Sequence, residues 1–292
     1  MRDDTVRAWV ISMLLVTTAG AKQVAAGPVR VSYQTTPPGQ SGRPNAAPWI
    51  LSASPQGSTS ADRALFDPIA HYLTAVTGHD VVYRRPSDDL AFSRNLAAGR
   101  YDLVFGGPHL AAWAERHQGA HPLVRFSGSL VFDTVARSPQ IHTLAALIGE
   151  PVCLKPLPSL ATATLLRHFP RLLRQPYQVA VSGWRQAYQG LLQGACRATV
   201  LPARDVPPLT AHGALLYVIH QSRRYPGDGL VASPRIPSAA RHLIRTALLS
   251  PQGQQAAKPL ARANAAPGWV AAHRKDYAGL SRLLRHVLFL GN

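Results

Sequence analysis

Cysteine and glutamate are scarce in this chain of 292 residues: cysteine occurs only at 153 and 196, and glutamate only at 115 and 150. So few glutamates, with aspartates scattered singly, leave no paired carboxylates for acid–base work. No Gly-x-Ser-x-Gly turn selects a nucleophilic serine, and no Walker-type loop offers a phosphate cradle. A redox centre is disfavoured by the lack of any Cys-x-x-Cys spacing. His117 and His121 stand four apart, but Gly119 lies between them and no carboxylate joins at ligand spacing, so the twelve histidines read as surface residues rather than metal ligands. An enzyme is not expected, and neither a metal nor a cofactor is called for.

Long apolar runs are also missing. The longest near the start, Ala8 to Val16, follows Arg2 and Arg7 and is too short for a comfortable membrane span. Small residues after it offer cleavage following Ala21 or, through Val24-Ala25-Ala26, before Gly27, which reads as a secretory signal peptide over residues 1–26, with an uncleaved anchor as the alternative. No cysteine follows the run, which argues against a lipoprotein. The chain is expected to be exported.

Acidic residues are outnumbered throughout, 14 against 31 basic, for a formal charge of +17. Residues 27–130 are nearly balanced, with nine basic and seven acidic, whereas residues 131–292 hold nineteen basic and five acidic. The arginines are scattered rather than clustered on one helix or interleaved with aromatics, so no nucleic-acid partner is expected. Anionic lipid, acidic surroundings or an anionic solute would gain equally from such a charge.

What is present is alternation. Leu65, Ile69, Tyr72, Leu73 and Val76 recur at helical spacing up to Gly78; Asp80 to Arg84 reads as a strand. Asp88 or Asp89 caps a helix carrying Phe92 and Leu96, and Tyr101 to Phe105 is a compact apolar strand breaking into Gly106-Gly107-Pro108-His109, where the next helix begins. Beyond the carboxyl ends of such strands, helix N-terminal amides attract anionic or polar groups. The second half repeats the pattern, with strands at 152–154, 177–181 and 198–201 and helices at 159–169 and 183–192. Leu215 to Ile219 is expected to return the chain to the first lobe, and helices near 238–249 and 277–290 to close the molecule.

About 266 residues after residue 26 exceed one ordinary core. The reading is an α/β, two-lobed fold, each lobe a mixed, mostly parallel sheet flanked by helices. Its divisions are a signal peptide at 1–26, a Pro/Gly-rich leader at 27–48, lobe 1 at 49–130 plus 213–292, and lobe 2 at 131–212. Two crossings make a clamshell whose shared cleft suits a small ligand.

The segments Leu51-Ser52-Ala53-Ser54-Pro55, Phe66-Asp67-Pro68-Ile69-Ala70, Thr77-Gly78 and Tyr101 to His109 carry a resemblance, joined by Gly183-Trp184, Gly194-Ala195-Cys196 and Asp276 to Leu280. Together they resemble the phosphate/phosphite/phosphonate substrate-binding proteins of ABC importers, built on the type 2 periplasmic-binding-protein fold. The resemblance implies a periplasmic, monomeric receptor that takes a small anionic or polar solute by clamshell closure and hands it to an ABC permease. The alternative is an exported sensing module serving a membrane partner such as a histidine kinase. Family members grip a phosphonate with a Ser-Thr-Ser-like turn; here the matching turn is Pro158-Ser159-Leu160-Ala161-Thr162, which keeps hydroxyls at Ser159 and Thr162. Phe105 matches a family aromatic but lacks a phenolic oxygen.

The candidate ligand-binding residues are therefore Ser54, Gln56, Phe105, Gly107, Pro108, His109, Ser159, Thr162 and Trp184. His109 either reaches into the cleft or packs; Trp113 is expected to pack under the sheet, and Arg204 with Asp205 to face the opening or pair on the surface. In an exported chain, Cys153 and Cys196 most simply form a disulfide, with two buried thiols as the alternative.

Overall fold

Strand-forming residues of the first half are gathered by helices whose ends are marked in the chain. In the computed structural model, which describes residues 47–211, 213, 215–285 and 287–291, β1 (Trp49–Ala53) leads into α1 (Thr59–Thr77). Ser58 caps α1 by accepting from the Ala61 amide at 3.2 Å, and Gly78 ends it in the left-handed region at φ 64°. After β2 (Val81–Tyr83), Asp88 caps α2 (Asp89–Ala97) in the same way. Then come β3 (Leu103–Gly106), α3 (Pro108–Gln118) and β4 (His121–Phe126). The signal peptide and nearly all of the leader lie outside the described residues.

A short strand, β5 (Ser129–Leu130), carries the chain across to β6 (Phe132–Ala136). There β7 (Pro151–Leu154), α4 (Leu160–Leu166), β8 (Tyr177–Ala180), α5 (Trp184–Leu192), β9 (Ala198–Pro202), α6 (Val206–Ala211) and β10 (Tyr217–Gln221) follow. The return runs through β11 (Tyr225–Pro226), which pairs antiparallel with β5, so the two crossings lie side by side. Last are β12 (Gly229–Ala232), α7 (Ser238–Leu249), α8 (Pro251–Ala256), α9 (Lys258–Ala263), β13 (Trp269–Ala271) and α10 (Arg274–Tyr277).

Two mixed sheets result. The first has order β13-β4-β12-β3-β1-β2, with β1 parallel to β2 and β3 and the later strands antiparallel. The second has order β10-β6-β9-β7-β8, with β7 parallel to β8 and β9. The segment at 215–219 does not return to the first lobe. It becomes the edge strand of the second sheet, antiparallel to β6 with His220 opposite Thr134 and Gln221 opposite Asp133, because its residues find the free side of β6 before the chain crosses. The strand at β13 was not expected.

The closing helix expected over 277–290 is also corrected. Gly279 enters the left-handed region at φ 75° and breaks it, leaving α10 and a 3₁₀ turn at Leu280–Leu284. That segment has structural weight all the same. Trp113 Nε1 donates to the Leu290 carbonyl at 2.6 Å, and Leu280, Leu284 and Leu290 share one apolar cluster with Trp113 and Leu165. One buried cluster belongs to the first sheet, around Phe66, Phe105 and Trp269; another belongs to the second, around Val135, Cys153 and Leu201. The cluster containing Trp113 joins them, so the halves are not wholly separate cores.

The smaller core is closed covalently. Cys153 on β7 and Cys196 before β9 form a disulfide with a Cα–Cα distance of 5.6 Å. Gly190 on α5 lies so near that a Cβ there would come 2.6 Å from the Cys153 sulfur.

Candidate functional site

Between the sheets, where β1, β3, β7 and β9 end, lies a cavity of about 520 Å³. Its walls come from the turns that follow those strands, as expected for ligand sites of open α/β sheets. Ser54 and Gln56 follow β1. The Gln56 amide donates to Asp62 Oδ1 at 3.2 Å, and Arg85 Nε donates to Asp62 Oδ2 at 2.7 Å, so the buried Asp62 in the first turn of α1, paired with a half-buried arginine, fixes this turn. The Ser54 hydroxyl donates to Asp89 Oδ1 at the start of α2. Asp89, also on the wall, is thereby held at the cavity.

The turn after β3 is the most enclosed part. Gly107 caps α3, and His109, only 2 % exposed, folds back over it; a Cβ at Gly107 would lie 2.6 Å from the imidazole. His109 Nε2 donates to the Pro158 carbonyl at 2.6 Å, a bond that joins the two halves. Burial drives the His109 pKa down to about 4, opposed by that bond, so the ring is neutral at pH 7. With the proton on Nε2, Nδ1 is a buried acceptor with no hydrogen-bond partner among the described residues. The Asp228 carboxylate stands on the same side, 3.5 Å from where a Gly107 Cβ would sit.

From the second half come Lys155, Ser159, Trp184, Arg204 and Asp205. Lys155 directly follows β7. Its carbonyl accepts from Thr162 Oγ1 at 2.5 Å, and its ammonium lies 5.1 Å from the centre of the Trp184 ring, a cation–π arrangement. Burial lowers the Lys155 pKa, opposed by the carboxylates of Asp89 and Asp228. Conversely, burial raises the pKa of Asp89, opposed by the Ser54 hydrogen bond and Lys155. Burial lifts that of Asp228 to about 6, opposed by Lys155 and Arg204. Arg204 pairs with Asp205 at 3.7 Å.

Most of the residues expected at the cleft do line the cavity: Ser54, Gln56, Phe105, Gly107, His109, Ser159 and Trp184. Phe105 does so from within the first core, its ring 5.6 Å from that of Phe66 and 6.0 Å from that of Trp269. Pro108 and Thr162 are not on the wall. Pro108 is buried at the first turn of α3, and Thr162, fully buried, turns its hydroxyl onto the Lys155 backbone. Trp113 packs, as expected. His117 stacks on Trp113 at 4.9 Å, and among the described residues no three His, Cys, Asp or Glu side chains converge as a metal site would require.

Three charged residues were missed in the sequence. Asp89 was read only as a possible cap, although Asp88 fills that role. Lys155 is the sole lysine between residues 23 and 257 and directly follows a strand, a usable signal. Asp228, in Gly227-Asp228-Gly229, looks like any turn.

Two mixed α/β sheets, paired crossings and a cavity at the strand ends define a solute-binding protein of the type 2 periplasmic class. The comparisons agree. The family described as the periplasmic phosphonate substrate-binding protein of ABC transporters matches residues 51–277, and this chain belongs to that family. The family supplies the binding component of a transporter rather than an enzyme. Among solved structures, a Xanthomonas citri protein bound to ATP is similar at TM-score 0.66 and 18 % identity, covering 83 % of this chain and 100 % of its own. PhnD1 of Prochlorococcus marinus, in complex with methylphosphonate, gives 0.64 and 13 %, covering 82 % and 98 %. A binding component of a Pseudomonas aeruginosa ABC phosphonate transporter gives 0.59 and 12 %, covering 80 % and 84 %. No curated protein matches by sequence.

Proposed function

We propose that this chain is an exported, monomeric receptor for an ABC importer, and that its solute carries both an anionic and a cationic group. The observation that carries the solute class is the charge on the two cavity walls. Asp89 and Asp228 line it from the first half and Lys155 from the second; Arg204 pairs with Asp205 at 3.7 Å on a solvent-facing part of the wall, and the exposed Arg224 beside the second crossing adds a further positive charge. A bare oxyanion would meet Lys155 but also two carboxylates held away from bulk water, and like charges in a dry site repel strongly. A phosphonate or phosphate-like group at Lys155 and Ser159, with an ammonium between Asp89 and Asp228, satisfies both walls. His109 Nδ1 accepts one further hydrogen bond, and the Trp184 face fixes the Lys155 head.

The apparatus of export and closure belongs to the same reading. Residues 1–26 direct the chain to the periplasm; residues 47–130 with 225–291 form one lobe, and residues 131–221 the other. Closure is favoured because solute contacts both lobes only when they meet, which shifts the population toward the closed form that the permease engages. The His109–Pro158 bond forms in that state.

Small-angle X-ray scattering with and without 2-aminoethylphosphonate tests the receptor reading. We expect a smaller radius of gyration with solute, and about 2.7 kcal/mol of added stability at a hundredfold excess over Kd. A panel of phosphate, phosphite, methylphosphonate, taurine and β-alanine that neither compacts nor stabilises the protein, with 2-aminoethylphosphonate equally silent, contradicts it.

A further inference from the structure

From Pro151 to Arg204 the chain contains no acidic residue and seven basic ones. Three of the seven are engaged: Lys155 lies in the cavity, Arg197 pairs with Glu150 at 3.6 Å, and Arg204 pairs with Asp205. Among the described residues, Arg167, Arg171 and Arg174 have no carboxylate within ion-pair distance, and all three are exposed. They surround one turn of 3₁₀ helix at Leu172–Arg174, between α4 and the edge strand β8.

At this turn the apolar residues face outward. Leu172 is 76 % exposed and Leu173 99 %, and Tyr177 at the start of β8 is 67 % exposed. Isolated surface leucines are ordinary, but two adjacent ones and a tyrosine, flanked along the chain by arginines without an ion-pair partner, are a composition of their own. The turn is also well anchored. Phe169 and Pro176 are buried on either side, Gln175 Nε2 donates to the Phe169 carbonyl at 3.1 Å, and the Gly149 and Tyr177 amides tie the segment to its neighbours at 3.2 and 2.9 Å. The leucines are therefore presented by a built platform.

We propose that this tip is a membrane-surface contact, seating Leu172 and Leu173 among the head groups of an anionic bilayer while Arg167, Arg171 and Arg174 meet the lipid phosphates. The chemistry is that of interfacial segments, in which a small apolar insertion is weak alone and becomes effective when basic residues add electrostatic attraction. Tyr177 has the amphipathic ring that favours the same interface. An anionic bilayer, unlike an acidic protein surface, uses the bare leucines and the arginines together without any matching pocket. Such a contact confines the protein to a plane and raises its encounter rate with anything embedded there. It does not depend on the identity of the solute.

Co-sedimentation of the full chain with vesicles of equimolar phosphatidylglycerol and phosphatidylcholine, against phosphatidylcholine alone, is the test. We expect preferential partition onto the anionic vesicles that weakens steeply with salt. It should fall about tenfold in Leu172→Ser/Leu173→Ser and by a similar factor in Arg171→Gln/Arg174→Gln. Because these side chains are exposed, the melting temperature should stay unchanged in both variants. The full chain also carries the apolar run at 8–16, so a local probe is added: Leu173→Trp should shift its emission to the blue on anionic vesicles, and Leu243→Trp, on the remote helix α7, should not. Equal binding to neutral vesicles, no loss in the leucine variant, or an unshifted Leu173→Trp overturns the proposal. Binding seen only when a permease is reconstituted in the vesicles also overturns it, in favour of a protein dock.

Discussion

The two walls of the cavity differ in charge and in what supports them. The first-half wall bears Asp89 and Asp228 and rests on a broad six-stranded sheet with an extensive core around Phe66 and Trp269. The second-half wall bears Lys155 and rests on a smaller core, with a disulfide closing it. The contrast shows a division of labour. The larger half tolerates two desolvated carboxylates, and the smaller one, free of acids from Pro151 to Arg204, is held by a covalent link.

Removing that link should break the contrast most. The double substitution Cys153→Ser/Cys196→Ser opens a loop spanning a separation of 43 residues, and on the chain-entropy account should lower stability by about 4 kcal/mol in urea unfolding. An unchanged midpoint would mean that the second half leans on the shared cluster with the C-terminal segment instead.

Next in size is Asp228→Asn, which removes a charge that burial penalises. We expect a gain of roughly 3 kcal/mol at pH 8 together with about a tenfold loss of affinity for an amine-bearing solute, a trade of function against stability. The sign of its pH dependence follows from the raised pKa. The stabilising contribution of protonated Asp228 is fully present below 3.8 and is lost as pH rises through about 6, so the advantage of the variant should vanish in acid.

The third effect isolates His109. Its depressed pKa means that the unfolded chain binds the proton first, so stability is full above 6.5 and is lost as pH falls toward about 4. In the native protein Asp228 offsets this over much of the same window. In Asp228→Asn the largest part of that offset is gone and only the smaller rise at Asp89 remains, so stability should drop by roughly 2 kcal/mol between those limits, as followed by thermal melts across pH. A flat profile in that variant would place His109 in a wetter setting than the one described.

The smallest effect should come from Ser54→Ala, which takes a hydrogen bond from Asp89 and should cost about 1 kcal/mol while raising the Asp89 pKa further. Carboxyl NMR titration reads the latter directly. No change would show that Asp89 is positioned by other contacts.

Much of the fold was legible because its signals are local. Helical spacing, Ser58 and Gly78 at the ends of α1, and the apolar strand before Gly106 all depend on neighbours in the chain. What escaped depends on distant partners. The strand at 217–221 has the same apolar residues whichever sheet takes it, and only the open edge of β6 decides. The site divided along the same line. Strand-end positions such as Ser54, Gly107 and Ser159 follow from topology, whereas Asp228 enters the cavity only because β12 lies between β3 and β4. Thr162 and Pro108 kept plausible chemistry but point into packing.

The most direct test of opposed walls is calorimetric titration of three matched solutes, 2-aminoethylphosphonate, ethylphosphonate and ethylamine, into the native protein, Lys155→Gln and Asp89→Asn/Asp228→Asn. The account predicts that only the first binds well to the native protein, that Lys155→Gln loses it, and that the double aspartate variant no longer prefers it to ethylphosphonate. Equal affinity of the native protein for ethylphosphonate and 2-aminoethylphosphonate would contradict the account.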